Sequence, residues 1–170
     1  GKDIVVNHAF YIKDIYSHAA YGLTWTLHEW LPSVLFYKIF ENFGFNGLIF
    51  LKAFLVLLVF WLVLVIFNRQ KINLYLSLVF LLLAALVNTR GQWAVMPTLF
   101  EYLFLVLAYY LILLYWQGNS KIIWLMPLLA LIWVQSHGSF FLLHFMILAV
   151  LIADWLTPIL KKKFSFWQPQ

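Results

Sequence analysis

The chain has 170 residues, of which 65% are hydrophobic and only 10% charged, and its mean hydropathy of +0.93 excludes an ordinary water-soluble domain. The absence of cysteine excludes a disulfide framework and thiolate chemistry. A formal charge of +5, carried by short loops and a terminal lysine run, points to membrane topology and gives no reason to expect a nucleic-acid partner. The aromatic share of 21% fits the belts that Trp and Tyr form at lipid headgroups.

Residues 1–29 are polar and lack a sustained helical period, so they read as a loop with at most a short helix. Gly1 stands where a complete chain would carry methionine, inside this loop, which suggests a fragment without its first span. Pro32 then suits a first helical turn, and an apolar run interrupted by Lys38 and Glu41 predicts an interfacial helix over about 30–43, too short to span. Gly44 and Gly47 are expected to end it.

Residues 47–67 match the ~20 apolar residues needed to cross a bilayer core. Residues 68–71 make a basic turn, 72–87 a second span, and 88–93 a polar break. Pro97 opens a third span that reaches Trp116, and 117–121 turn the chain. A fourth span, 122–134, is interrupted by Pro127, and a fifth, 140–156, is stopped by Pro158. The expected fold is all-α: a polytopic integral membrane protein with an extracytoplasmic loop (1–46), a five-span bundle (47–157) and a basic tail (158–170).

Arg69, Lys71, Lys121 and the lysines at 161–163 mark one set of loop ends, which the positive-inside rule makes cytoplasmic. The N-terminal loop, 88–96 and 135–139 then share the outer side. At ~1.5 Å per residue the second and fourth spans cover only about 20–24 Å, so Asn88 and Gln135 are expected below the membrane surface. Irregular backbone at that depth needs protein or a water-filled cavity around it. A polar crater follows, lined by Arg90, Gln92, Gln135, Ser136 and His137 and covered by the segment around His28, Glu29 and Trp30.

Arg90 has the planar donor fork that suits a phosphate or carboxylate, or it pairs with Glu29 or snorkels. His137 either orients or protonates a substrate, helped by close approach at Gly138, or caps a helix. Glu29, beside His28, is either a general base or metal ligand or a complement to the helix dipole. Asp14 is a second outer carboxylate, though aspartate there also suits a turn. Lys52 and Glu101 lie at similar depth and are expected to form an architectural ion pair, while Asp154 neighbours the lysine run. His144, two helical turns after His137, has no matching histidine on another helix with which to hold haem. Gly-rich phosphate loops, His-Glu-x-x-His and the serine elbow are absent.

Three stretches in this order, residues 25–31 (WTLHEWL), Arg90 with Pro97-Thr98-Leu99-Phe100, and residues 133–140 (WVQSHGSF), resemble bacterial membrane proteins related to the GT-C glycosyltransferases. The resemblance covers about 1–157. It implies an outward-facing active site in a bacterial inner membrane and transfer of a sugar from a polyprenyl-phosphate donor. It also implies a loop carboxylate, Glu29 or Asp14, as base or divalent-metal ligand, with His137 beside it. On the resemblance Arg90 would take the phosphate, and the crater reading adds His28, Gln92 and Gln135 as expected binding residues. Two departures stand out: Met96 replaces an arginine common before the proline, and the acidic residue expected after a first span would precede Gly1. The competing readings are a non-catalytic membrane scaffold or subunit with protein partners, and a transporter or channel fragment.

Overall fold

The structure, a computed structural model, describes residues 1–87 and 94–163, with side chains as far as Pro158. The described residues form helices α1 (Lys2–Asn7), α2 (Trp30–Arg69), α3 (Leu74–Val87), α4 (Thr98–Trp116), α5 (Met126–Val134) and α6 (Phe141–Lys163). Turns of 3₁₀ helix, Ser120–Leu125 and Gly138–Phe140, precede α5 and α6. No strand occurs among the described residues; a single antiparallel bridge, Lys13 to Thr24, pinches the N-terminal loop.

The expected interfacial helix and first span are joined in α2, a run of 40 residues bent at Gly44. Gly44 has φ 60° and ψ −155°, a region open essentially to glycine alone. Gly47 does not end the helix. It is buried, and a Cβ there would lie 2.5 Å from the Cβ of Phe43, so the missing side chain lets the turn before it fold down onto the next. Gly44→Ala is expected to cost about 1–3 kcal/mol of stability. Denaturant unfolding of the detergent-solubilised protein measures this, and a wild-type midpoint would mean that the bend is dispensable.

Helix α4 is the hub. One side packs on α2, whose Leu55, Val59, Leu62 and Ile66 are buried at helical spacing. The other packs on α5 and α6, where Phe104, Ala108, Leu129, Trp133 and Leu143 close the main core. An aromatic chain of Phe36, Phe100, Phe104 and Trp133, with successive ring centroids about 6 Å apart, ties the first segment of α2 into that core. Such contacts favour tilted or edge geometry over a face-to-face sandwich.

Two prolines act differently from expectation. Pro127 does not interrupt the fourth apolar run; it occupies the first turn of α5, where its missing N–H has no intrahelical partner to lose. Residues 120–125 ahead of it wind as 3₁₀ helix. Pro158 does not stop α6, which continues to Lys163. A proline removes one i to i−4 bond, here to the Asp154 carbonyl, and α6 carries on past that gap.

Among the described residues three helices are long and apolar enough to cross a membrane: Trp30–Arg69, Thr98–Trp116 and Gly138–Pro158. Leu74–Val87 and Ser120–Val134 are apolar but shorter. Helix α3 buries Ser77 while Leu74, Leu76, Phe80 and Leu83 are exposed, an arrangement compatible with lipid as the surrounding solvent.

Candidate functional site

The N-cap of α2, the first turn of α4 and the break between α5 and α6 meet at one end of the bundle, and each contributes an ionisable side chain. Glu29 is the N-cap residue of α2, yet its carboxylate does not cap the helix. Its backbone carbonyl accepts bonds from the Ser33 amide (3.2 Å) and hydroxyl (2.8 Å), which frees the side chain to reach His137. Glu29 Oε1 lies 2.6 Å from His137 Nδ1. On the other edge of the ring, Nε2 lies 3.1 Å from Glu101 Oε2, an ion-pair distance. The three side chains are 30%, 21% and 21% exposed, shielded enough for the contacts to be worth more than on an open surface.

His137 projects from an extended residue (φ −161°, ψ 146°) between α5 and the 3₁₀ turn. The helix-capping role open to it from sequence falls to its neighbours. The amides of Ser136 and His137 both donate to the Trp133 carbonyl, and Ser136 Oγ donates to the Ile132 carbonyl at 2.7 Å. Two of the carbonyls at the end of α5, those of Ile132 and Trp133, are thus met without the imidazole. Trp133 Nε1 donates to Ser139 Oγ across the break (3.2 Å), so both ends of the five-residue interruption are pinned.

Gln135 joins this break to the start of α2. Its Oε1 accepts the Trp30 indole N–H at 2.6 Å, and its carbonyl accepts the Leu31 amide at 3.3 Å. Any ligand at Gln135 would therefore meet the side-chain amide N–H groups. His28 Nδ1 donates to the Thr26 carbonyl (3.2 Å), and Nε2 lies 3.7 Å from Glu29 Oε1. The same ring passes within 3.7 Å of where a Gly138 Cβ would stand, in ordinary van der Waals contact.

Asp14 is not part of this cluster. Its Oδ1 accepts the amides of Tyr16 and Ser17, both at 2.8 Å, in the turn that aspartate commonly builds. The Tyr16 hydroxyl donates to the Asp3 carboxylate, which holds the phenol proton and pushes its pKa up to about 12. A cavity of about 220 Å³ opens between this loop and the site, with Glu29, Asp3, Tyr11, Tyr16, Trp25 and Ser33 in its walls. Arg90 and Gln92 lie outside the described residues.

Glu101 is the residue that sequence reading assigned elsewhere. It meets His137, and among the described residues no ion pair joins it to Lys52. The available signal was its place four residues after Pro97, in the first turn of a span whose outer end faces the short outer loop. Asp154 accepts bonds from Tyr115 OH (2.9 Å) and Trp116 Nε1 (3.4 Å) at the opposite end of the bundle, and the side chains of the lysine run expected beside it lie outside the described residues. His144 faces the Phe140 ring and carbonyl.

Among the described residues no group of three or more His, Asp or Glu side chains is arranged to hold a metal ion. Both nitrogens of His137 are turned to carboxylates, so the imidazole nearest to hand for a cation at Glu29 is that of His28, whose Nε2 lies 3.7 Å from Oε1.

No family model, curated protein or solved structure matches the chain. Its class rests on its own features: an all-helical protein, compatible with an integral membrane location, with a carboxylate–imidazole–carboxylate cluster at one end of the bundle.

Proposed function

We propose that the chain is part of a GT-C-like glycosyltransferase that moves a sugar from a polyprenyl-phosphate carrier to an acceptor hydroxyl at the outer membrane face. In this reading α3 and the segment Ser120–Val134 are also spans, giving five, with the N-terminal loop outside and the lysine-rich end in the cytoplasm. The observation that carries the proposal is the 2.6 Å contact between Glu29 and His137. It holds a loop carboxylate in the wall of a cavity.

Glu29 takes the proton of the acceptor O–H as that oxygen bonds to the anomeric carbon of the sugar. The bond from that carbon to the phosphate oxygen breaks, and its electron pair leaves with the polyprenyl phosphate. Arg90 receives the phosphate charge, for which a guanidinium fork is suited. An apolar groove of about 360 Å³ between α2, α3 and α4, lined in part by Phe60, Val63, Leu81, Tyr102 and Leu105, supports a lipid-linked donor. Asp14 shapes the covering loop through its turn.

The test is sugar transfer by the full-length protein in liposomes supplied with polyprenyl-phosphate donors carrying a panel of labelled sugars. Glu29→Gln is expected to lower kcat by about 10²–10⁴-fold, the usual worth of a positioned proton acceptor. Undiminished transfer by this variant would sink the reading. The alternative of a non-catalytic scaffold draws on the exposed apolar face of α3. It predicts no transfer by any form and copurification with a larger assembly whose function survives Glu29→Gln.

A further inference from the structure

The cavity between the N-terminal loop and the site has aromatic rings in its walls that the proposed proton transfer does not use. Asp3 enters from α1, Tyr11, Tyr16 and Trp25 from the loop, and Glu29 from the N-cap of α2. We propose that this cavity binds an organic ammonium group carried by one of the two transfer substrates. The inference rests on the glycosyltransferase reading for the origin of that group, whereas binding of an ammonium ion to the cavity can be measured without turnover.

The rings are placed by backbone bonds that do not involve their side chains. The Asp14 amide donates to the Leu23 carbonyl and the Trp25 amide to the Ile12 carbonyl, both at 2.9 Å, so the two limbs of the loop run side by side. Tyr11 and Tyr16 on one limb then meet Trp25 on the other. Tyr16 stands nearly perpendicular to both neighbours, 6.5 Å and 89° from Tyr11 and 6.0 Å and 82° from Trp25. The rings therefore make successive corners of a wall and not a flat stack. An aromatic face carries the negative side of the ring quadrupole and attracts a cation within ~6 Å of its centroid, with Trp the best of the three residue types.

The carboxylates set the sign of the ligand. Asp3 accepts bonds from Asn7 Nδ2 at 3.2 Å and from the Tyr16 hydroxyl, both neutral donors. Among the described residues neither Asp3 nor Glu29 forms an ion pair with a lysine or arginine. An anion would be repelled by both, and a neutral ligand would leave the charge on Asp3 without a counterion. An ammonium group supplies one and turns its remaining surface to the rings. At about 220 Å³ the cavity is smaller than the ~300–1,000 Å³ of pockets that enclose a drug-sized ligand, so it takes one substituent of a larger substrate. Glu29, in the same wall, puts that substituent beside the proposed base.

The experiment uses the full-length protein in a maltoside detergent, which carries no ammonium group, and isothermal titration with n-propylammonium chloride and with n-propanol, a neutral molecule of similar size. The ammonium is expected to bind at least about tenfold more tightly. Trp25→Ala should weaken its binding about 5–30-fold, the range of a shielded cation–π contact. Asp3→Asn should weaken it about tenfold or more, through loss of a hydrogen bond to a charged group. Tyr16→Phe removes the hydroxyl bond to Asp3 but keeps the ring, and is expected to stay within about threefold of the wild type, which separates loss of charge from loosening of the loop. Transfer assays then locate the group: polyprenyl-phosphate donors bearing an amino sugar or its N-acetyl form on one arm, acceptors with a free or N-acetylated amine on the other. A preference of about tenfold or more in kcat/KM for the free amine identifies the substrate that carries it. Equal binding of n-propylammonium and n-propanol, or undiminished ammonium binding by either Asp3→Asn or Trp25→Ala, would overturn the proposal. So would sugar transfer indifferent to the amine on both arms. A wild-type protein that transfers no sugar would instead remove the glycosyltransferase reading and leave the titrations to decide on the cavity.

Discussion

His137→Ala is expected to reduce sugar transfer by about 10²–10⁴-fold while leaving the helices in place, because the imidazole joins the two carboxylates. Without the ring, Glu29 loses the 2.6 Å donor that orients it, and Glu101 loses its partner at 3.1 Å. Two partly shielded carboxylates then face a common gap without the group that orients them. The loss should appear in kcat more than in the donor KM, since the phosphate is assigned to Arg90 and not to His137. Circular dichroism should be unchanged, because the backbone of the break is held by Trp133, Ser136 and Gln135 through bonds that do not use the imidazole. Initial-rate kinetics on matched liposome preparations check the prediction. A variant with wild-type kcat would show that the cluster is architectural.

The path from sequence to this site was clear for some residues and closed for others. The polar interruption 135–139 between two apolar runs, together with the charge bias of the loops, was enough to bring His137 and the segment around Glu29 to the same end of the bundle. Asp14 as a turn residue was also legible, because its chemistry is local. The partner of Glu101 was not. In helices apolar on every side, no polar stripe tells which face meets a neighbour, so depth could be read but azimuth could not. Lys52 was expected from depth to pair with Glu101, and packing of α4 between α2 and α5 brings it to the histidine instead. The same limit hid the bond from Trp30 to Gln135, which spans 105 residues. Gly44 and Gly47 were both visible as breaks, but their different tasks, a bend and a close approach, depend on backbone angles and neighbours that residue type alone does not carry.

The largest expected effect on stability is at Trp133, whose side chain is fully buried and ties the hub helix to the break that carries His137. Its ring packs 5.8 Å from that of Phe104 on the hub helix, its indole N–H is bonded to Ser139, and its carbonyl receives the amides of Ser136 and His137. Trp133→Ala is expected to cost about 3–5 kcal/mol, from lost contacts and from the cavity left among α4, α5 and α6. Trp133→Phe keeps most of the ring but strands Ser139 Oγ without its donor, so its cost should fall nearer ~1–3 kcal/mol. Unfolding midpoints in a single detergent, with the Gly44→Ala variant as a reference, separate these cases. The alanine variant should also lose transfer beyond what its folded fraction explains, because collapse around the cavity shifts the residue that carries the imidazole. If Trp133→Ala unfolded no more readily than Gly44→Ala and kept its transfer rate, the aim of His137 would have to come from the bond between Gln135 and Trp30, not from the core beneath it.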